Sequence, residues 1–482
     1  MPKFNAPGVF LQERPSLPPM VVDVESAVPG FVGYTAQATR SSMGDLLMQP
    51  TRIATFLEFE ALFGGAPSAR IREVQVDGQG NFVSGTSELD FALFQSLRLY
   101  FGNGGGVCYV VSVGDFGAAS AGLDSKALVA GVDALAKFDE PTLLVCPDAA
   151  LLGELQMALV HQAMLQQCLR LQDRFAVLDT RCDDPLGESF RSQIGVDALR
   201  YGAAYTPWLK TQALGAARYA AWRGKLWQVG KPVVLRDFTA DAAVLAQLVA
   251  IDQALDSDPA ADVAKLELWL EKNFAVYRSI LVGVRNSSTL GCPPSGAVTG
   301  VYVATDTQRG VWKAPANVSL SGVIAPVTSF DADQLAALNV DAAAGKSINA
   351  IRTFTGKGVL IWGARTLSGN DNEWRYVATR RLFILVEESI KKGTTWVVFE
   401  PNDANTWNKV RGMIENYLTQ KWRDGALQGI KPEHAFFVSC GVGQTMTPQD
   451  VLEGRLIIEI GMAVVRPAEF IVLRFSHLLQ IP

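Results

Sequence analysis

The feature that most constrains the fold is an alternation of short apolar runs with helical stretches. Residues 142–146 are apolar, leucines then recur at helical spacing between Leu151 and Leu165, and residues 175–178 form a second apolar run. Strand, helix and strand in this order predict a βαβ unit, in which a helix joins two parallel strands. Asp148 precedes the helical stretch, and we expect it to cap the first turn.

The C-terminal third repeats this alternation. The sequence predicts strands over 358–362 and 395–399, and helices over 380–392 and 405–424. Three further extended runs close the chain, at 435–439, 455–465 and 469–477. The predicted fold class is therefore α/β with α+β character, a multi-domain arrangement of alternating strand and helix units.

Prolines and helical patterns divide the chain further. Residues 1–30 carry six prolines, which lack the amide donor of a central strand, so we expect an extended arm. Within 209–292 two additional helical stretches occur, the first preceded by Asp241 as a candidate cap. The expected divisions are an N-terminal arm (1–30), the N-terminal part of the core (31–115), a central α/β domain (116–345) with a helical insertion at 209–292, and a C-terminal domain (346–482) that ends in a strand.

Composition bounds the classes of function. Hydrophobic residues make up 49% of the 482 residues and charged residues 19%, which is typical of a globular chain. A net charge of -5 gives no general electrostatic basis for binding nucleic acid directly. Uncharged apolar runs are too short to span a membrane, the N-terminus lacks the pattern of a signal peptide, and the six cysteines form no CxxC pair. We therefore expect a chain that is made in the cytoplasm and is not inserted into membranes.

Motifs for catalysis and cofactor binding are incomplete. The segment Gly345-Lys-Ser resembles the end of a phosphate-binding loop, but Val340 stands where a glycine is needed. The glycine cluster at 102–106 lacks the third glycine of a dinucleotide-binding turn. The three histidines form no HExxH, and Ser295 lies outside any GxSxG. The sequence therefore predicts no catalytic, cofactor-binding or metal-binding residues.

Several longer segments together resemble one family. They are NAPGVFLQE at 5–13, NGGGVCYVV at 103–111, PPSGAVTGVYVATDTQRGVWKAPAN at 293–317, NAIRTFTGKGVLIWGARTL at 349–367, and the run 373–429. In these segments the chain is similar to the tail sheath proteins of contractile phages, bacteriocins and extracellular contractile injection systems. The resemblance implies a structural subunit and not an enzyme. Such subunits would form stacked hexameric rings around an inner tube and contract to drive the tube through a target envelope.

The resemblance also implies partners and contact residues. Besides copies of itself, we expect the chain to meet an inner tube protein and baseplate and terminal cap proteins. It would assemble in the cytoplasm and then form part of a virion tail or a released tail-like particle. The residues expected to link neighbouring subunits lie in the two terminal arms: Pro7, Gly8, Val9, Phe10 and Leu11, and Phe470, Ile471, Val472, Leu473 and Phe475. The cations expected to face the tube lie on the helix 405–424: Lys409, Arg411, Lys421 and Arg423.

Two other functions stay open from the sequence. One is an enzyme with a degenerate α/β nucleotide site, which nucleotide binding to the monomer would favour. The other is a different tail or baseplate component of the same machine. Tube subunits are usually shorter than this chain, so its length favours the sheath. The insertion at 209–292 departs from the resemblance, and we expect it on the outer surface, where insertions disturb packing least.

Overall fold

The computed structural model describes residues 20–469, except 68–69, 118–121, 213–217, 259–261, 288 and 342. The described residues group into two compact units. The larger unit contains residues 25–384 and 466–469, and the smaller unit contains residues 20–24 and 385–465. Each unit is described below by itself.

The strands of the larger unit are β1 (Pro29–Thr35), β2 (Thr51–Ile53), β3 (Arg70–Val76), β4 (Phe82–Glu88), β5 (Cys108–Asp115), β6 (Leu143–Val145), β7 (Phe175–Asp179), β8 (Gly202–Thr206), β9 (Leu209–Gln212), β10 (Leu226–Gln228), β11 (Lys231–Val233), β12 (Thr289–Cys292), β13 (Val318–Ser319), β14 (Ala325–Pro326), β15 (Ile348–Phe354) and β16 (Gly358–Ile361). The strands of the smaller unit are β17 (Phe436–Ser439) and β18 (Glu459–Met462).

The helices of the larger unit are α1 (Phe56–Phe63), α2 (Leu93–Gly102), α3 (Ser125–Leu135), α4 (Glu154–Leu171), α5 (Glu188–Gln193), α6 (Tyr219–Trp222), α7 (Ala242–Ser257), α8 (Ala264–Asn273), α9 (Ala275–Ser287), α10 (Ser295–Arg309) and α11 (Ala332–Asn339). The boundary between the units falls within α12 (Val377–Gly393). The smaller unit contains α13 (Ala404–Arg423), α14 (Pro432–Ala435) and α15 (Pro448–Leu452).

A nine-stranded sheet forms the centre of the larger unit. Its order is β13-β16-β15-β8-β7-β6-β1-β5-β2, and the strands from β15 to β5 in this order are parallel. The predicted βαβ unit is confirmed as β6, α4 and β7. Numbered in chain order, the six parallel strands lie in the order 2-1-3-4-5-6, which is the doubly wound, flavodoxin-like pattern with β15 added, and the order reverses between β1 and β6.

Helices cover both faces of this sheet. Val32 and Gly33 are neighbours in β1, so their Cα atoms present opposite faces of the sheet to the helices. A Cβ on Gly131 of α3 would come within 2.6 Å of Val32, and a Cβ on Gly33 would come within 3.0 Å of Leu93 of α2. Helices α3 and α2 therefore pack on opposite faces. Accordingly, all seven residues of β1 are buried.

Helix α10 packs on α2 at backbone contact distance. Gly296 and Gly300 are one turn apart in α10, and a Cβ at either position would overlap the carbonyl oxygen of Ser96 or Tyr100 in α2. Glycine is thus required at both positions for this close approach. The packing fixes the N-terminal ends of both helices beside the sheet.

A second core lies around the region 209–292. A seven-stranded sheet, β11-β10-β3-β4-β12-β9-β14, carries helices with buried residues such as Val244, Leu248 and Leu270. Asp241 caps α7 as predicted, since its carboxylate accepts the Ala243 N–H at 2.8 Å. The region is not purely helical, however. It contributes four strands, and the hairpin β3–β4 from another part of the sequence completes its core.

The smaller unit combines helices with a short antiparallel pair. Helix α13, predicted over 405–424, begins after Asp403, whose carboxylate accepts the Thr406 N–H at 2.9 Å. Its buried face includes Val410, Ile414 and Leu418. β17 and β18 pair in antiparallel register, with Phe436 opposite Met462 and Ser439 opposite Glu459.

One predicted strand and one predicted domain boundary differ from the structure. The strand predicted over 395–399 is wrong, because residues 395–397 form a single 3₁₀ turn and the chain then leaves into an exposed turn. The predicted boundary at 345/346 does not coincide with the observed division, which falls within α12. The physical reason is that β15 pairs in parallel with β8, so residues after 346 complete the sheet begun by β1.

Candidate functional site

The crevice where the strand order reverses is the usual ligand site of this kind of sheet. In doubly wound sheets, ligands bind beyond the carboxyl ends of the strands at this point, often at a helix N-terminus. Here the crevice lies between the ends of β1 and β6. It is occupied by Asp148, which is fully buried just after β6.

Asp148 holds three backbone amides. One carboxylate oxygen accepts the Tyr34 N–H at 2.7 Å, and the other accepts the N–H groups of Ala92 and Leu93 at 2.6 and 3.1 Å. Asp148 was predicted to cap the helical stretch that follows it. Instead it caps α2, some 55 residues earlier, and takes the place at the N-terminus that a ligand phosphate would need. Burial raises the pKa of Asp148 to about 6, although the three N–H groups act to lower it.

A second buried carboxylate repeats this arrangement at the next strand. Asp179 ends β7 and accepts the Ser295 N–H, at the first residue of α10, at 2.8 Å. Burial raises the pKa of Asp179 to about 7. Two helix N-termini beside the carboxyl edge of the sheet are thus capped by side chains of the chain itself. This edge serves to bind the chain's own elements together.

The remaining sequence candidates for ligand chemistry are also engaged within the chain. Lys346, from the Gly345-Lys-Ser segment, donates to the Arg191 carbonyl at 2.5 Å, and Ser347 donates to the Asn339 carbonyl at 2.6 Å. This segment precedes β15, whereas a phosphate-binding loop follows a strand. Across the described parts of the chain, no group of three or more His, Cys, Asp or Glu side chains could hold a metal ion.

His161, one of the three histidines, lies in the core. It lies in α4, 1% exposed, with its ring 5.8 Å from that of Phe190. Burial lowers the pKa of His161 to about 3, so the ring is neutral at physiological pH. Within the described residues its Nδ1 has no hydrogen-bond partner.

Of the four cations expected to face the tube, Lys421 is wrongly assigned because it is buried. Lys409 and Arg423 are exposed, and half-buried Arg411 donates to Asn408 at 3.0 Å. Lys421 is only 5% exposed and its Nζ contacts the Asp23 carboxylate. It lies on the buried face of α13 because it is three and four residues after Leu418 and Tyr417.

The residues predicted to form the exchanged arms lie outside the described residues: Pro7, Gly8, Val9, Phe10 and Leu11, and Phe470, Ile471, Val472, Leu473 and Phe475. The flanking described segments are anchored. In the smaller unit, Val24 donates to Ser389 at 3.1 Å and Asp23 accepts from Tyr417 at 2.6 Å. In the larger unit, the Arg365 guanidinium donates to the Glu469 carboxylate at 2.9 Å.

The smaller unit also presents an unpaired sheet edge. The Ala463 N–H donates to the Ala435 carbonyl, so the amides of Gly461 and Ala463 point toward β17. Backbone groups alternate in direction along a strand, so those of Ile460 and Met462 point to the opposite edge of β18. That edge has no strand partner among the described residues.

The edge strands of the larger unit are either very short or contain residues that discourage pairing. β13 and β14 have two residues each and β2 has three. β11 carries Lys231 and Pro232, and both residue types discourage further pairing. The larger unit is thus a doubly wound α/β body with short or protected sheet edges and a crevice filled by its own carboxylates.

Comparisons with known proteins identify the family. Residues 369–477 match the model of the phage tail sheath C-terminal domain. The tail sheath protein of Vibrio phage KVP40 is 27% identical over 184 residues, which cover 38% of this chain and 26% of that protein. Curated tail sheath proteins are thus matched over only about a quarter to a third of their own length.

Solved structures match over nearly the whole chain. A chain from the anti-feeding prophage baseplate is 30% identical with a TM-score of 0.64, covering 99% of this chain and 100% of that one. A chain from the anti-feeding prophage helical sheath in the contracted state is also 30% identical, with a TM-score of 0.63 and coverages of 98% and 99%. The chain belongs to the contractile tail sheath family. Its relatives are structural proteins of phage tails and tail-like particles. No helix in the described residues is long and apolar enough to cross a membrane.

Proposed function

We propose that the chain polymerises as stacked hexameric rings around an inner tube, and that these rings contract to drive the tube through a target envelope. Neighbouring subunits would be linked by strands donated from the terminal arms. The observation that carries this proposal is the open edge of β18. The backbone groups of Ile460 and Met462 face that edge, so a donated strand could extend the β17–β18 pair there.

Two proline substitutions test this strand acceptance. Met462→Pro removes an N–H that points to the open edge, and proline is tolerated there because β17 does not use that amide. Ala463→Pro removes the N–H that bonds Ala435 within the unit. We expect Met462→Pro to leave the melting temperature of the unassembled chain nearly unchanged and to abolish tube formation, scored by electron microscopy. Ala463→Pro should lower the melting temperature.

The outcome against this assignment is specific. If Met462→Pro forms tubes at the same protein concentration as the parent chain, the outer edge of β18 accepts no strand. Absence of tubes from the parent chain itself, at high concentration and with both arms intact, would contradict the sheath proposal as a whole.

We further propose that the exposed stripe of α13 faces the inner tube through Lys409 and Arg423. The two side chains are fourteen residues apart, which is about 21 Å along a helix and close to the same face. Asn416 and Gln420 lie exposed between them. Exposed charge pairs are weak, about 0.2–1 kcal/mol each, so binding to an acidic tube would depend on repetition along the assembly and would release readily.

Charge reversal separates this contact from self-assembly. The double variant Lys409→Glu with Arg423→Glu should form empty tubes normally but fail to assemble around the inner tube protein. The control is Lys391→Glu with Lys431→Glu, which changes the charge of the same unit equally through exposed side chains off the helix. Co-assembly by the first variant, or its loss in the control, would exclude α13 as the specific contact.

A baseplate component is the alternative favoured by one observation, the match to a chain of the anti-feeding prophage baseplate. The two readings predict different products. A sheath subunit should extend into long tubes with rising concentration, whereas a baseplate component should stop at a ring of fixed height. Particle lengths in electron micrographs distinguish them.

A further inference from the structure

The turn at residues 397–400 in the smaller unit has an unusual composition. The Glu400 N–H donates to the Val397 carbonyl at 3.0 Å, which closes a β-turn. Val398 has φ -61° and ψ 123°, and Phe399 has φ 72°. These angles define a type II turn, whose third position normally requires glycine or asparagine. Here that position holds phenylalanine.

Solvent exposure makes this choice more unfavourable for an isolated subunit. Phe399 is 103% exposed and Val398 is 61% exposed, so neither side chain gains from burial within the unit. A bulky residue with positive φ is strained, and such strain persists where function requires it. The backbone and the solvent both disfavour Phe399 in the unassembled chain.

Val229 is also exposed and has positive φ, but its position in a hairpin explains its conformation. Val229 has φ 47° and is 92% exposed, but it occupies the two-residue loop between β10 and β11 together with Gly230, φ 76°. A two-residue hairpin loop of type I′ requires positive φ at both positions, so the hairpin itself accounts for Val229. Phe399 lies in no hairpin.

Other exposed apolar side chains lie in the segment that is hydrogen-bonded to Asn402. The Asn402 side chain donates to the Arg455 carbonyl at 3.0 Å, which brings the segment after the turn beside residues 452–457. Leu452 is 83% exposed and Ile457 is 41% exposed. Ile457 comes two residues before β18. Exposed apolar side chains thus occur on both segments joined by this hydrogen bond, and the second segment leads into β18.

We propose that this turn is a contact between copies of this chain, in which Phe399 of one subunit is buried against a second subunit. The inference rests on the proposed sheath function. The occupant is a second copy because the segment that Asn402 contacts runs into β18, whose open edge is the proposed site of strand addition, and because the matched chain comes from a helical sheath. Burying one phenylalanine removes about 150–250 Å² from water, enough to bias assembly at every repeated contact.

The substitution Phe399→Gly tests the proposal. Glycine adopts the turn without strain, so the melting temperature of the unassembled chain should stay the same or rise. The protein concentration at which empty tubes appear, measured by sedimentation and electron microscopy, should rise at least tenfold. Phe399→Tyr, which keeps the aromatic ring, should restore most of the assembly. Val229→Gly is the matched control and should leave the tube-forming concentration unchanged.

The results separate this inference from the proposed function. Tubes of the parent chain test the function alone. Given those tubes, an unchanged tube-forming concentration for Phe399→Gly would overturn the inference and direct the search toward a different partner, such as the tube. A fall in melting temperature would overturn it too, since Phe399 would then be packed within its own chain.

Discussion

Asp148 provides a direct test of how the crevice between β1 and β6 is closed. Its carboxylate accepts the N–H groups of Tyr34, Ala92 and Leu93 at 2.6–3.1 Å. Asp148→Ala leaves three buried donors without an acceptor, at about 1–3 kcal/mol each. We therefore expect a loss of about 3–9 kcal/mol, a large part of the roughly 5–15 kcal/mol that stabilises a folded protein.

Asp148→Asn keeps the shape but retains only one acceptor oxygen. If that oxygen faces Ala92 and Leu93, the amide NH₂ faces the Tyr34 N–H, so the expected loss is smaller, about 1–3 kcal/mol. The assay is urea unfolding of the unassembled chain, with hydrogen exchange of the peptide that contains Ala92 and Leu93. If Asp148→Ala unfolds at the parent's urea midpoint with these amides still protected, the Asp148 carboxylate does not hold the N-terminus of α2.

The same residue predicts a pH dependence. Burial raises the pKa of Asp148 to about 6 from its usual 3.8, so the native state binds a proton at higher pH than the unfolded state. Ionisation of Asp148 then opposes folding, and its contribution to stability falls as pH rises from about 4 to about 7. A shift of two units corresponds to about 3 kcal/mol. Asp148→Asn lacks this group, so its stability deficit should be largest near pH 4 and shrink toward pH 7. A deficit independent of pH would contradict this.

Three further substitutions test packing within each unit. Arg381→Leu leaves the Asp306 carboxylate buried without its guanidinium partner and should cost about 3–5 kcal/mol, measured by thermal unfolding. Gly283→Ala places a Cβ against the ring of Phe82 and should cost about 1–3 kcal/mol, with faster hydrogen exchange in α9. Lys421→Met removes the ion pair between nearly buried Lys421 and partly exposed Asp23 in the smaller unit and should increase hydrogen exchange in residues 20–24.

Local signals predicted several helices well, in both units. Helix α13 was expected over 405–424 and is observed at Ala404–Arg423, and Asp241 caps α7 as expected. Helical periodicity and N-cap chemistry depend on residues within a few positions of each other, so a single sequence contains them. The same periodicity could have placed Lys421 correctly. Its spacing from Leu418 and Tyr417 puts it on the buried side of α13.

Long-range contacts were beyond the sequence signals. Asp148 has the residue type and position of a local cap, but its carboxylate oxygens accept hydrogen bonds from amides 55–114 residues away in sequence. Similarly, nothing near β15 indicates that it pairs with β8, and the predicted boundary at 345/346 separated the two strands. Pairing of distant strands depends on tertiary structure and not on local propensity.

The strand predicted over 395–399 failed for another reason. Its residues have high strand propensity, but propensity reflects packing against neighbouring strands, and no strand pairs with this segment in the described structure. Phe399 instead occupies a turn position for which the sequence would favour glycine. The disagreement between local preference and structure thus falls on the residue that we assign to a contact between copies, which is where such conflicts are expected.

The two units differ in how much open sheet edge and exposed apolar surface they present to other chains. This difference would limit premature association of the proposed sheath subunit. The larger unit ends its sheets in very short strands or in Lys231 and Pro232, so its large sheets offer little template for uncontrolled pairing. The open edge and the exposed Phe399 both belong to the smaller unit, where the strand pair is only four residues long. A short edge binds a strand weakly, because a few hydrogen bonds hardly offset the entropy lost when that strand is ordered.

If binding at the edge and burial of Phe399 occur in the same event, the free energy of burial adds to that of the hydrogen bonds. Assembly would then favour the correct neighbour over any isolated strand. The double variant Met462→Pro with Phe399→Gly measures this coupling: if the two contacts form together, its effect on tube-forming concentration should differ from the product of the two single effects.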